Sequence, residues 1–171
     1  MDVLAIRHLE DQKWNIKDKL AKLIGSLGTS RQLVNTINAR LYVFLTHGGW
    51  GGRAFGSVLC SDAAIDRISL SSYTCPDENI GEVVSCIKKT GEVVAHEIGH
   101  NLGIRHDQDK WNGLGYTMKS ANGRICDGIM GPGNGNATWS ECSVLDFTSY
   151  LNSVPKFCLA PKKGDYIVAI I

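Results

Sequence analysis

Several features that would place this 171-residue chain at once are missing from it. Charged residues are spread through residues 1–22, so no apolar run there is long enough for the core of a signal peptide. The apolar end at residues 166–171 is far too short to cross a bilayer. No basic stretch stands out and the net charge is +1, which argues against a nucleic-acid partner. We therefore expect no membrane span, and either a leader already removed or a piece of a longer protein.

The six cysteines are scattered and form no C-x-x-C pair. Beside a histidine motif of the zinc-binding type, they predict three disulfides in an oxidising, secreted setting. Six reduced core thiols in a cytosolic protein are the alternative. The length, with 43% hydrophobic residues, suits one domain with one core, and no internal repeat is visible.

The stretch H-E-I-G-H-N-L-G-I-R-H-D occupies residues 96–107. On a helix, His96 and His100 lie about 40° apart around the axis, so both imidazoles can reach one metal ion. Gly103 can adopt the left-handed conformation that ends a helix, and a turn there brings His106 back as a third ligand. Three imidazoles and one open position are typical of a catalytic zinc site.

Glu97 lies beside the metal-binding face of this predicted helix. A carboxylate there can take a proton from a metal-activated water, whose pKa zinc lowers toward about 7. An exposed carboxylate paired with Lys or Arg is the alternative. Another zinc layout takes a later Glu as third ligand, but Glu141 is the only Glu downstream, so His106 is the better candidate.

The spacing H-E-x-x-H-x-x-G-x-x-H, followed by Asp107, resembles the signature of the metzincin peptidases. It looks like the adamalysin (reprolysin) branch, which includes snake-venom metalloproteases and the ADAM and ADAM-TS peptidases. Residues 126–132, C-D-G-I-M-G-P, are similar to the family's Met-turn. Residues 52–60 are similar to its substrate-binding edge strand, and residues 139–143 and 157–161 to its C-terminal helix and closing cysteine. The resemblance covers roughly residues 40–161.

This resemblance implies one catalytic zinc ion bound by His96, His100 and His106, with Glu97 as general base. Met130 would lie beneath the metal without ligating it, although any single Met is more often a core residue. Asp107 would bind the backbone of the Met-turn, and a plain turn residue is the alternative. The family's calcium ligands have no counterpart here, since Ala160 and Pro161 stand where an Asn is usual.

The cysteine pairing is implied in the same way. The resemblance gives Cys60–Cys158 and Cys126–Cys142, which leaves Cys75–Cys86. Spacing alone leaves the other fourteen connectivities of six cysteines open. Asn136-Ala137-Thr138 is the only N-glycosylation sequon, and a chance match is nearly as good an explanation as a used site.

Hydrophobic spacing predicts the remaining elements. Strands are expected at residues 3–9, 41–46, 53–59 and 65–71, and helices at 16–27, 30–37 and 82–88. The active-site helix is predicted to begin near Gly91, and Ser143 to cap a last helix that carries apolar residues as far as Leu151.

These observations predict an α/β metalloprotease domain over residues 1–161, shortened at the N-terminus relative to the family, with a C-terminal tail at 162–171. The expected architecture is a twisted mixed sheet, a zinc-bearing helix, a Met-turn and a C-terminal helix. The expected function is secreted zinc endopeptidase activity on proteins, with matrix or plasma proteins as candidate substrates. The alternative is a catalytically weak or inactive zinc-containing module that binds proteins.

Overall fold

The computed structural model describes residues 21, 41–47, 51–73, 75, 80–111, 114–131, 136–159 and 168–170. The strand predicted at 3–9 and the helices predicted at 16–27 and 30–37 lie outside these residues, except for Ala21, which is helical.

A four-stranded mixed sheet forms one layer of the molecule. Its strands are β1, Tyr42–His47; β2, Gly51–Ala54; β3, Ile68–Tyr73; and β6, Val168–Ile170. Their order in the sheet is β2-β3-β1-β6. Strand β1 pairs in parallel with both β3 and β6, whereas β2 runs antiparallel to β3 and lies at the edge. The sheet is therefore mixed, as predicted, and it includes three residues that the sequence analysis assigned to a tail.

The two central strands supply much of the core. In β1, Tyr42, Phe44 and Thr46 are buried while alternate residues are half-buried, the period-2 pattern of a strand. In β3, every residue from 68 to 72 is buried, as in a strand covered on both faces. Phe44 and Leu70 are partners in the parallel register, which places two large apolar side chains side by side.

Helix α1, Ile80–Asn101, is one continuous helix of 22 residues. The sequence analysis was wrong to begin the active-site helix near Gly91 and to separate it from a short helix at 82–88. A glycine costs a helix interior only about 1 kcal/mol relative to alanine, so a helix that is anchored elsewhere tolerates it. Here Cys86, in the first half, is held by a disulfide to Cys75.

Helix α1 ends in the turn that Gly103 predicts. Gly103 has φ +80°, and its N–H donates to the His100 carbonyl at 2.9 Å. The N–H of Ile104 donates to the Gly99 carbonyl, also at 2.9 Å. These two bonds form a Schellman motif, which reverses the chain directly before His106.

The remaining elements follow in order. A 3-10 turn, Ala64–Arg67, precedes β3. After residues 96–107 the chain forms an antiparallel hairpin of β4, Gln108–Trp111, and β5, Leu114–Thr117. Helix α2 spans Glu141–Ser153 and the one-turn helix α3 spans Lys156–Leu159. Ser140, rather than Ser143, caps α2, because its side chain accepts the Ser143 N–H. None of the helices in the described ranges is both long and apolar enough to cross a membrane.

Three disulfides cross-link the described part of the chain. They are Cys60–Cys158, Cys75–Cys86 and Cys126–Cys142, the same pairs that the family resemblance implies. Cys60–Cys158 ties the segment after the edge strand to α3, and Cys126–Cys142 ties a loop after the hairpin to α2.

Candidate metal centre

The three motif histidines meet at one point. His96 and His100 lie four residues apart on α1, and His106 returns to them after the turn at Gly103. The Nε2 atom of His106 lies 2.9 Å from Nε2 of His100 and 3.1 Å from Nε2 of His96. Their ring centroids are 4.5 to 5.0 Å apart. The structure thus brings together the three side chains that the sequence grouped.

Two backbone carbonyls fix the orientation of the helix-borne rings. His96 Nδ1 lies 2.7 Å from the Ile129 carbonyl oxygen, and His100 Nδ1 lies 3.0 Å from that of Ile104. Because a carbonyl only accepts, each Nδ1 carries the proton and each Nε2 is left with a lone pair. Lone pairs converging from neutral rings repel one another, and a cation between them removes that repulsion.

Burial keeps these imidazoles uncharged. Burial, together with the neighbouring His96 and His106, lowers the pKa of His100 to about 4, against the opposing effect of the hydrogen bond to Ile104. Burial also lowers the pKa of His96, while its hydrogen bond to Ile129 acts in the opposite direction. Neutral imidazole is the form that binds a metal.

Glu97 lies beside this cluster and is only 5% exposed. Burial raises the pKa of its carboxyl group to about 7, while the charge of Arg53 acts in the opposite direction. Gly52 of the edge strand approaches so closely that a Cβ atom at residue 52 would overlap the Glu97 side chain. The carboxyl group is therefore enclosed between α1 and β2.

The histidine cluster fits a zinc ion. Tetrahedral zinc with Zn–N bonds of about 2.0–2.1 Å needs ligand nitrogens about 3.3 Å apart, close to the separations found here. Among the described residues no fourth His, Cys, Asp or Glu joins this group, which corresponds to an open coordination position. A second cluster of Asp107, Cys126 and Cys142 does not fit, because both its sulfur atoms belong to a disulfide.

Asp107 connects the third histidine to the segment around Met130. Its buried carboxylate accepts the Gly128 N–H at 2.8 Å and the Ser140 hydroxyl at 2.6 Å. Its own N–H donates to the Met130 carbonyl at 3.0 Å. The backbone and carboxylate of Asp107 thus hold residues 128–130 and the cap of α2 next to His106.

Met130 is completely buried on the side of α1 where Gly99 lies. A Cβ atom at Gly99 would be 2.7 Å from the Met130 sulfur and 3.0 Å from the Trp139 ring. The helix therefore packs on Met130 and Trp139 at closest approach, one residue before His100.

A family model described as metallo-peptidase family M12 matches residues 5–144 of the chain. The chain belongs to metallo-peptidase family M12. The suspected adamalysin/reprolysin relationship is thereby confirmed.

Related M12-type proteins match over shorter stretches. "A disintegrin and metalloproteinase with thrombospondin motifs 16" of Mus musculus is 36% identical over 67 residues, which are 39% of this chain and 5% of that protein. "A disintegrin and metalloproteinase with thrombospondin motifs 19" of Mus musculus is 39% identical over 69 residues, again 39% of this chain and 5% of that protein. "Disintegrin and metalloproteinase domain-containing protein 9" of Homo sapiens is 30% identical over 111 residues, or 64% of this chain and 11% of that protein. This M12 chain therefore spans a small fraction of the length of these relatives.

Sequence reasoning missed several residues that shape the site of this M12 peptidase domain. Arg105 donates from its backbone N–H, Nε and Nη2 to the Asp146 carboxylate on α2, at 3.0, 3.1 and 2.7 Å. Ser140, to which the sequence analysis assigned no role, donates from its hydroxyl to Asp107. A serine directly before a helical run was a usable signal for Ser140. Nothing local marks Asp146, which lies 41 residues from Arg105.

Proposed function

We propose that this chain is a zinc-dependent endopeptidase that hydrolyses peptide bonds of extracellular proteins. The supporting observation is the convergence of three histidine Nε2 atoms next to the enclosed carboxyl group of Glu97. Membership of family M12 supports a metallopeptidase. Three disulfides support a secreted protein, since such bonds persist in oxidising compartments.

His96, His100 and His106 are the proposed ligands. A bound zinc ion supplies positive charge that acidifies water and polarises the scissile carbonyl group. The hydrogen bonds from His96 and His100 to carbonyl oxygens hold the rings for this purpose. Asp107 and Met130 are proposed as structural support, since Asp107 joins the segment after His106 to residues 128–130.

Glu97 is the proposed general base and acid. Its carboxylate takes a proton from the attacking water and then delivers it to the departing amine. No covalent intermediate with the protein is required. The enclosed position between α1 and β2 keeps the carboxylate poorly hydrated, which favours proton transfer to a group in the site over interaction with bulk water.

The edge strand β2 is the proposed docking site for the substrate. It has one neighbouring strand in the sheet, β3, so its other edge is free among the described strands to pair with an extended peptide. Gly52 brings this edge against Glu97, so a peptide paired with β2 passes the catalytic group. Backbone pairing of this kind makes few demands on side chains, which suits a protease of broad specificity.

The first prediction concerns Glu97→Gln. The zinc-loaded wild type should cut a quenched peptide, and a chelator should abolish the cleavage. Glu97→Gln should lower kcat by roughly 10²- to 10⁴-fold, the usual contribution of a general base. Zinc affinity, measured by competition with a chromogenic chelator, should stay near that of the wild type, because the three imidazoles are untouched.

Glu92→Gln is the matched control, since Glu92 lies on the same helix outside the histidine cluster. It should behave as wild type in both assays. Full cleavage by Glu97→Gln would show that another group is the base. A wild type that binds zinc and cuts nothing would instead favour the protein-binding module.

A further inference from the structure

The segment that follows the edge strand is hydrogen-bonded to the end of α1. Ser57 N–H donates to the His100 carbonyl at 2.9 Å, and Val58 N–H donates to the Asn101 carbonyl at 2.9 Å. The Asn101 side chain donates from Nδ2 to the Phe55 carbonyl, also at 2.9 Å. These three bonds between residues 55–58 and residues 100–101 are here called the strand–helix clasp.

Asn101 is the centre of the clasp. It is completely buried, and its Nδ2 group has a second, longer bond of 3.4 Å to the carbonyl of Ile68. Phe55 follows the last residue of β2, and Ile68 is the first residue of β3. One side-chain amide therefore joins the ends of both strands to the helix.

The chemistry of the contact requires an amide. Both partners are carbonyl oxygens, so the side chain must present two N–H donors. Aspartate has the same shape but no donor when ionised, and leucine has neither donor nor acceptor. Asn101 Oδ1 has no hydrogen-bond partner among the described residues. The Nδ2 donors are therefore the part of the side chain that holds the clasp.

The backbone of the clasp is also unusual. Ser57 has φ +58°, a left-handed conformation that is uncommon for residues other than glycine. Such a conformation persists where surrounding contacts over-determine it. The bonds at Phe55, Ser57 and Val58 provide those contacts.

We infer that Asn101 is a positioning residue that sets the peptide-binding edge of β2 relative to Glu97 and the histidine cluster. Without the clasp, the end of β2 is no longer fixed to α1. The ladder with β3 and the packing of Gly52 on Glu97 remain, and the spacing at that packing contact is free to change. The inference rests on the proposed function for its link to catalysis, but the clasp itself is a property of the folded chain. Asn101 follows His100 directly, so its side chain bonds the helix that carries the proposed ligands to the strand proposed to bind substrate.

Hydrogen exchange tests the clasp in the wild type without any activity measurement. Ser57 and Val58 belong to no strand or helix, yet their amide protons should exchange as slowly as those of β2. Exchange of these two amides at the rate of an open loop would overturn the inference.

Variants test the link to substrate binding. Asn101→Asp and Asn101→Leu should lose protection at residues 55–58 and keep zinc affinity close to wild type. The wild type should cleave longer peptides with a higher kcat/KM, since additional residues pair with β2. Both variants should lose this length dependence, with kcat/KM for the longest peptide lower by roughly tenfold, the scale of one or two net hydrogen bonds.

Asn152→Leu is the matched control, because Asn152 is exposed on α2. It should retain protection, zinc affinity and length dependence. Unchanged length dependence in both Asn101 variants, with protection lost, would refute the positioning role. If the wild type cleaves nothing while its Ser57 and Val58 amides are protected, the proposed function fails and the clasp stands. If one Asn101 variant does not fold, the other variant and the hydrogen exchange of the wild type still test the inference.

Discussion

Gly52 and Glu97 lie so close together that the identity of one decides the position of the other. The Glu97 carboxyl group fills the space that a side chain at residue 52 would occupy. Gly51, directly before it, has φ +101°, which only glycine adopts readily, and its carbonyl accepts the Ser72 hydroxyl at 3.0 Å. The edge strand therefore approaches Glu97 through two glycines. The backbone conformation of the first and the close packing of the second both require that no side chain be present.

Gly52→Ala should displace Glu97 and reduce cleavage while leaving zinc binding intact. The new methyl group overlaps the carboxyl-bearing side chain, so Glu97 must rotate away from the cluster or β2 must shift. We expect kcat to fall by at least about tenfold, because small misplacements of a catalytic group are costly. Steady-state kinetics and chelator competition measure the two effects.

Gly91→Ala is its control, since Gly91 is exposed on α1 and a Cβ atom there meets nothing within 4 Å. Wild-type kinetics are expected for this variant. If Gly52→Ala is equally active, Glu97 does not need its enclosed position.

At this scale the sequence predicts what helical periodicity and one turn determine. His96 and His100 share a helix face by their spacing, and Gly103 forms the turn that returns His106 to them. The contacts between Glu97 and the edge strand are not determined by local spacing. Gly52 meets Glu97 across 45 positions of sequence. Only the packing of β2 on α1 creates that contact, and no local pattern encodes it.

Among the elements, α1 and α2 together determine where His106 lies. Arg105, before it, is bonded to Asp146 of α2, and Asp107, after it, is bonded to the α2 cap residue Ser140. The sequence predicted both helices but misplaced the start of each. Glycine at residue 91 resembles a helix break, and Ser143 resembles a cap, whereas tertiary anchoring extends α1 and Ser140 takes the capping position.

Asp146→Asn should destabilise the fold at neutral pH by about 1 kcal/mol, the scale of a charge-assisted contact near the surface. Burial alone would raise the pKa of Asp146, but the hydrogen bonds and charge of Arg105 outweigh it and lower the pKa. A carboxyl group with a lowered folded-state pKa contributes stability above its unfolded pKa of about 3.9. That contribution disappears as the pH falls through the folded-state value.

Urea unfolding of wild type and Asp146→Asn at a series of pH values measures this difference. The gap in free energy of unfolding should be constant near neutrality and should close below about pH 4. Asp62→Asn controls for the loss of a negative charge, since Asp62 is exposed. A gap that persists unchanged at low pH would mean that the Arg105–Asp146 ion pair contributes nothing.

For the molecule as a whole, one disulfide connects the segment after the edge strand to the C-terminal helix α3. Cys60–Cys158 joins residues 98 positions apart, with Cα atoms separated by 5.6 Å. Cys75–Cys86 joins residues only 11 positions apart and so closes a short loop. The family resemblance supplied these pairs, whereas cysteine spacing alone could not select them, because connectivity depends on the final path of the chain.

Removing the long-range disulfide should lower stability more than removing the short one. Chain-entropy estimates are about 4.7 kcal/mol for a loop of 98 residues and about 2.8 kcal/mol for one of 11. The double variant Cys60→Ser/Cys158→Ser should therefore melt at a lower temperature than Cys75→Ser/Cys86→Ser. Calorimetry under oxidising conditions compares them directly. Equal melting temperatures would argue against a dominant role for loop entropy.

The packing of Met130 on Gly99 has a consequence for oxidative damage. Its sulfur is completely buried, and the gap to the helix is too small even for a methyl group. Conversion to the sulfoxide would insert an oxygen atom where none fits, so peroxide reaches this methionine only when the helix lifts away. The rate of Met130 oxidation thus records how often the packing between this methionine and α1 opens.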